Sequence, residues 1–160
     1  MSQTVSVKFD SAAQEVYLGL WRTYDRLQTL EDRLFTEWNL TAQQYNVLRL
    51  LRAANSAAVP TLSLVSRLVS LAPDITRMLD RLETNGWVVR QRSQTDRRAV
   101  LVKITDVGVS LLNEIAIPLA ECHEEQLGHL SEEELKTLSR LLAKARLPHE
   151  PVGSLWRFEI

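Results

Sequence analysis

Two short β-branched runs, Trp87 to Arg92 and Ala99 to Ile104, interrupt a chain whose other segments repeat their apolar residues every three or four positions. Strand-forming residues on both sides of a polar connector, Ser93 to Arg98, predict one hairpin. The helical period before and after it predicts helices on both flanks. Five glycines and five prolines in 160 residues leave few places to break those helices. The expected fold class is mainly α, with a two-stranded hairpin set into it.

The helices can be placed from their caps and stripes. The first is expected from about Ser11 to Trp38, with Val16, Tyr17, Leu20, Tyr24, Leu27, Leu34 and Trp38 on one side. At ~1.5 Å per residue it would span roughly 40 Å, more than a domain of this size covers, so its stripe needs another surface. Thr41 to Gln44 reads as a capping box that opens a second helix carrying Tyr45, Val47, Leu48 and Leu51. A loop from Asn55 to Val59 leads to a short helix opened by Pro60-Thr61 and ending near Val69. A fourth helix is expected to start at Ala72-Pro73, where the missing proline N–H costs nothing. It should end at Asn85-Gly86, with glycine in the left-handed position. Ile75, Met78, Leu79 and Leu82 form its apolar stripe, and Thr76, Arg77, Asp80, Arg81 and Thr84 face away.

Beyond the hairpin, Thr105 N-caps a long helix through Leu111, Leu112, Ile115, Leu119, Cys122 and Leu127. Pro118 should kink it, because an interior proline removes a hydrogen bond at a cost of ~3 kcal/mol. Ser131 and Glu134 form a second capping box before a last helix with Leu135, Leu138, Leu141 and Leu142 on one side. The tail from 148 to 160 is short, yet it carries Leu155, Trp156, Phe158 and Ile160.

Charge distribution says more than the net value of −1. Residues 60–104 hold eight basic groups against four acidic ones, while residues 105–160 are net −5. Seven of the eight are arginine, the side chain that forks onto phosphate and guanine. An ordinary solvated face could show the same excess, but the order of elements narrows the reading. Helix, short helix, capped helix, then a hairpin with an arginine-bearing loop is a helix-turn-helix followed by a wing. The second helix of the pair would enter the major groove, its first residues meeting base edges. The hairpin loop would reach the neighbouring minor groove, where arginine responds to narrow width and negative potential.

The segments Arg77 to Arg90 and Thr95 to Gly108 resemble the MarR family of bacterial transcriptional regulators. Asp96, Arg98, Ile104, Thr105 and Gly108 match its wing pattern of Asp-x-Arg, a short strand, then Leu/Ile-Thr-x-x-Gly. The likeness extends from about Leu20 to Leu142. It implies a winged helix-turn-helix with long N- and C-terminal dimerisation helices. Residues 1–40 would be the first dimerisation helix, 41–108 the DNA-binding region, and 109–160 the second set of dimerisation helices and tail, all in one intertwined domain. It further implies a homodimer on a pseudo-palindromic operator in double-stranded DNA, usually a repressor, released by a small aromatic or phenolic ligand.

The resemblance assigns residues unevenly. On the recognition helix it points to Pro73, Asp74, Thr76, Arg77 and Arg81. On the wing it points to Arg92, Thr95, Asp96, Arg97 and Arg98, with Arg98 entering the minor groove and Asp96 orienting it. A cap on the hairpin turn is the alternative role for Asp96. Asp74 either answers the helix dipole or selects cytosine. Ala72 stands where Ser or Thr is frequent in the family. Trp21, Tyr24 and Tyr45 fall where the family lines its effector pocket, although aromatic residues at helical spacing also build cores and dimer seams.

Other chemistry finds little support. Cys122 is the sole cysteine and lies on an apolar stripe, which reads as packing rather than redox sensing. His123 and His129 are six apart and do not share a face as a zinc pair at i, i+4 would. No metal and no cofactor is expected. No nucleophile–base pair, phosphate-cradling glycine loop or nucleotide motif is visible, so no enzyme is expected. A leader of basic then apolar residues is missing from the first twenty positions, and no run approaches 18 apolar residues. A cytoplasmic protein without a membrane partner is the expectation. The competing reading is a non-enzymatic helical adaptor whose winged helix binds protein, and salt dependence separates the two, because phosphate contacts release counterions.

Overall fold

The computed structural model describes residues 8–55, 57–70, 74–96, 98–152 and 154–157. In chain order the elements are α1 (Ala12–Thr36), α2 (Ala42–Ala53), β1 (Val59–Pro60), α3 (Thr61–Val65), α4 (Ile75–Thr84), β2 (Val88–Arg92), β3 (Val100–Ile104), α5 (Asp106–Leu127) and α6 (Glu132–Arg146). Two 3-10 turns follow, Leu147–His149 and Leu155–Arg157. The fold is a mainly helical winged helix.

Side-chain caps fix where helices start. Ser11, Thr41, Asp74, Thr105 and Ser131 each accept a hydrogen bond from the backbone N–H three residues on. Each bond satisfies a donor that the helix itself leaves unpaired, worth ~1 kcal/mol. Thr41 with Gln44 and Ser131 with Glu134 close full capping boxes. The start of α4 corrects the expectation of Ala72-Pro73. Asp74 is the N-cap, its Oδ1 accepting from Arg77 N at 2.9 Å. A carboxylate that bonds a helix N–H outranks a proline that merely tolerates the first turn. Ala72 and Pro73 lie outside the described residues.

α4 ends as expected. Gly86 takes φ +74°, and its N–H donates to Glu83 O at 2.9 Å while Trp87 N donates to Leu82 O at 3.0 Å. This pair of bonds turns the chain sharply from α4 into β2. α3 is shorter than expected, stopping at Val65, with turns continuing to Ser70. α5 runs unbroken through Pro118.

The hairpin forms in register, Val88 opposite Ile104 through Arg92 opposite Val100. It gains a third strand, with Val59 opposite Val102 and Pro60 opposite Leu101, giving the antiparallel order β1-β3-β2. Local sequence places Val59 at the end of a loop. A two-residue strand shows no alternation, and Pro60, lacking an N–H, fits an edge.

The core gathers Leu48, Leu51, Leu64, Leu79, Leu82 and Val102 from the winged region with Phe35 of α1 and Leu112 and Ile115 of α5. Gln126 of α5 also donates to Leu27 O of α1 at 2.8 Å. Burial thins toward the chain ends. α1 buries Phe35 but exposes Val16, Tyr17, Leu20, Trp21 and Tyr24, and α6 buries Ala143 but exposes Leu138, Leu141 and Leu142. In the tail, the Arg146 guanidinium lies 5.2 Å from the Trp156 ring centroid. Phe158 and Ile160 lie outside the described residues. Among the described residues, no helix is long and apolar enough to cross a membrane.

Candidate nucleic-acid interface

α4 presents one polar face. Leu79 and Leu82 point into the core, whereas Thr76, Arg77, Asp80, Arg81 and Thr84 are exposed. That split follows from the i, i+3, i+4 spacing of the apolar residues. Arg77 and Arg81 open onto a cleft of about 230 Å³ that they share with Thr41, Gln43, Met78 and Asp74. Thr76 opens onto a second cleft, of about 220 Å³, on the side of the wing, where Leu62, Arg90 and Arg98 also line the wall. Thr76 of α4 and Arg98 of the hairpin loop thus line one cleft, and Arg77 and Arg81 line the other. Thr41 and Gln43 carry no sequence signal for this cleft, since the pattern around Thr41 announces only a cap. Thr61 Oγ1 donates to Val100 O at 3.0 Å and ties α3 to the wing, a long-range contact that no local pattern announces.

The wing turn is held by short side chains. Ser93 Oγ accepts from the N–H of Thr95 at 3.3 Å and of Asp96 at 3.1 Å. Asp96 Oδ1 accepts from the backbone N–H of Arg98 at 2.9 Å. Asp96 therefore caps the turn, and it orients Arg98 through the main chain. The side chains of Arg92, Thr95 and Arg98 are exposed. Arg97 lies outside the described residues.

Acidic residues on α4 are engaged with protein. Asp74 is occupied as the N-cap. Arg90 of β2, part of the basic excess, turns toward α4 instead of standing free. Its Nη2 lies 2.6 Å from Asp80 Oδ1 and 2.7 Å from Glu83 Oε2. Its Nε donates to Glu83 Oε2 and its backbone N–H to Glu83 Oε1, both at 2.9 Å. These hydrogen bonds hold the Glu83 carboxyl below its ordinary pKa and raise that of Arg90.

The three effector candidates do not meet within one chain. Tyr45 stacks on Phe35, ring centroids 4.9 Å apart at 27°. Trp21 and Tyr24 lie on the uncovered half of α1, 64% and 63% exposed. Tyr24 and Phe35 are eleven positions apart along the helix, roughly 16 Å at the helical rise. Cys122 is buried, and that burial, with Glu31 and Glu125 nearby, pushes its thiol pKa up, away from a reactive thiolate. His123 Nε2 lies 3.3 Å from Glu31 Oε1. Among the described residues no three metal-ligating side chains cluster.

Residues 40–100, from the end of the α1–α2 connection to the first residue of β3, match the family model described as MarR family. The chain is 34% identical over 132 residues to the multiple antibiotic resistance protein MarR of Escherichia coli K12, covering 79% of this chain and 90% of that protein. A crystal structure of a MarR transcription factor from Planctomyces limnophilus is 50% identical, with a TM-score of 0.68, over 84% of this chain and 98% of that one. A cysteine-to-serine variant of Escherichia coli MarR complexed with operator DNA is 29% identical, with a TM-score of 0.74, over 87% and 99% of the two chains.

Proposed function

The chain belongs to the MarR family, and from that premise we propose that it is a homodimeric repressor, held on a pseudo-palindromic operator and released by a small aromatic ligand. Transcription regulation and DNA binding come with the family. What supports the detailed reading best is that Thr76 of α4 and Arg98 of the wing line one cleft, so both reading elements face the same way.

In this reading α4 lies in the major groove. Thr76, Arg77 and Arg81 meet base edges, where a bidentate arginine discriminates by ~1–3 kcal/mol. Arg98 enters the minor groove from a turn that Asp96 holds, while Arg92 and Thr95 meet the backbone. Residues 41–108 bind DNA, and residues 1–40 and 109–160 pair with a second copy. The second copy covers the apolar faces of α1 and α6 and spaces two α4 helices roughly 34 Å apart, one turn of DNA. The ligand binds against Trp21 and Tyr24 at that seam, with Tyr45 as the third candidate contact, and favours a spacing that fits DNA poorly. The protein works without catalysis, in the cytoplasm, where the operator is.

The test is a titration of labelled duplex, first selected from a random-sequence library by the protein itself, at rising salt. Log affinity should fall linearly with log salt, by roughly 0.9 per phosphate contact. Phenols and aryl carboxylates added to the same titration should weaken binding. Absent or salt-insensitive binding would leave the protein-binding adaptor as the reading.

A further inference from the structure

Resting on the DNA-reading surface just proposed, we propose that Arg90 is its positioning residue, locking α4 to the wing and withdrawing the carboxylates of Asp80 and Glu83 from the bases. α4 meets β2 at a tight corner in which Gly86 takes φ +74°. On the inner side, Leu79 and Leu82 press α4 into the core. Those apolar contacts set which face of α4 is buried but do not tie its outer edge to the wing. On the outer side, Arg90 spans the corner. Asp80 and Glu83 are three residues apart, so they project from one side of α4. A single guanidinium bonds both, and the Arg90 backbone N–H takes the second Glu83 oxygen. Its side chain is 25% exposed, against 55% for Asp80 and 37% for Glu83, so the clamp lies on the solvent side of the corner.

The consequence is geometric as well as electrostatic. Thr76 and Arg77 lie one turn before Asp80 on α4, so the orientation fixed at Asp80 is the orientation they present to DNA. Thr76, Arg90 and Arg98 line the same cleft, so the clamp sits between the two reading elements. Two carboxylates left unpaired there would face DNA phosphates, and Arg90 removes half of that charge. A planar fork holds two carboxylates in fixed directions, which an ammonium group does not.

The experiment uses the full chain and two duplexes: one selected by the wild-type protein from a random library, the other of the same length and composition with scrambled sequence. Arg90→Met should lower the selected-to-scrambled affinity ratio by about tenfold, the scale on which hydrogen-bonded networks couple. Arg90→Lys should recover part of that loss. Adding Asp80→Asn and Glu83→Gln to Arg90→Met removes the repulsion, and the ratio should stay low. A partly unfolded variant loses affinity equally for both duplexes and leaves the ratio unchanged. If Arg90→Met does not fold, Glu83→Gln, which keeps the Asp80 arm, should show a smaller drop. A ratio within about twofold of wild type in whichever of Arg90→Met or Glu83→Gln folds overturns the positioning role, since effects that small lie within ordinary additivity error. Recovery of the ratio on removing both carboxylates would reduce Arg90 to a neutralising charge. A wild-type protein that binds neither duplex overturns the DNA reading beneath it.

Discussion

Thr105 and Gly108 have a physical reason to occur together. Thr105 N donates to Trp87 O at 3.0 Å, Thr105 Oγ1 donates to Gly86 O at 2.6 Å, and the same Oγ1 accepts from Gly108 N at 3.1 Å. One threonine thus caps α5 and fastens its start to the corner between α4 and β2. Gly108 must pass beside that corner, and a Cβ there would collide with the Trp87 carbonyl and the Ile104 side chain. The blocking atom is backbone, already fixed by Thr105, so it cannot swing aside. Gly108→Ala should therefore destabilise the protein by ~1–3 kcal/mol, the usual cost of overpacking, read as a lower denaturant midpoint with unchanged slope. Of the residues that carry the family pattern, Asp96, Thr105 and Gly108 bond to or pack on main chain, Ile104 is buried, and the exposed Arg98 side chain is the one that faces outward for DNA in the proposed reading. The sequence pattern made the set visible without separating those two jobs. Asp74 shows the same gap: its role as cap needs only its neighbour's N–H, yet residue type alone also allowed a base contact.

Apart from α4, whose start is set by Asp74 and not by Ala72-Pro73, helix starts were legible because a cap is a local event, settled within four residues. Elements defined by distant partners were not. β1 exists because Val59 and Pro60 lie against β3, some forty residues later in the chain, and nothing in two residues announces a strand. The Arg90 clamp joins a strand to a helix, a pairing for which no fixed spacing applies. The division of labour between α4 and the wing, by contrast, was readable from order and charge, and it separates cleanly by experiment. Arg98→Ala should weaken binding to matched and mismatched duplexes alike, because the minor-groove code is degenerate. Arg77→Ala should cost discrimination, ~1–3 kcal/mol at the position it reads. Titrations of both duplexes at one salt concentration decide the matter. If Arg98→Ala binds as tightly as wild type, the wing does not touch DNA.

At the scale of the molecule, the core is lopsided, and that imbalance argues for the assembly. The winged region buries Leu48, Leu51, Leu64, Leu79 and Leu82, while the first half of α1 leaves Tyr17, Trp21 and Tyr24 more than 60% exposed and Leu141 of α6 is half exposed. A lone soluble chain seldom keeps contiguous apolar surface of that extent. The effector candidates fail to converge for the same reason, because Trp21 and Tyr24 belong to the uncovered face and Tyr45 to the core. A second copy related by a twofold axis presents the same face and is its natural complement. The protein should therefore sediment at twice the 18.3 kDa chain mass at micromolar concentration, and its melting temperature should rise with concentration. Trp21→Glu places a charge in the seam without touching α4 or the wing. It should raise the dimer dissociation constant by about a hundredfold, the scale of an interface anchor. Operator affinity should fall with it, because a monomer meets one half-site, while affinity for an isolated half-site duplex should stay as in wild type. A wild-type chain that sediments as a folded monomer, or a Trp21→Glu variant that stays dimeric, would place the seam elsewhere.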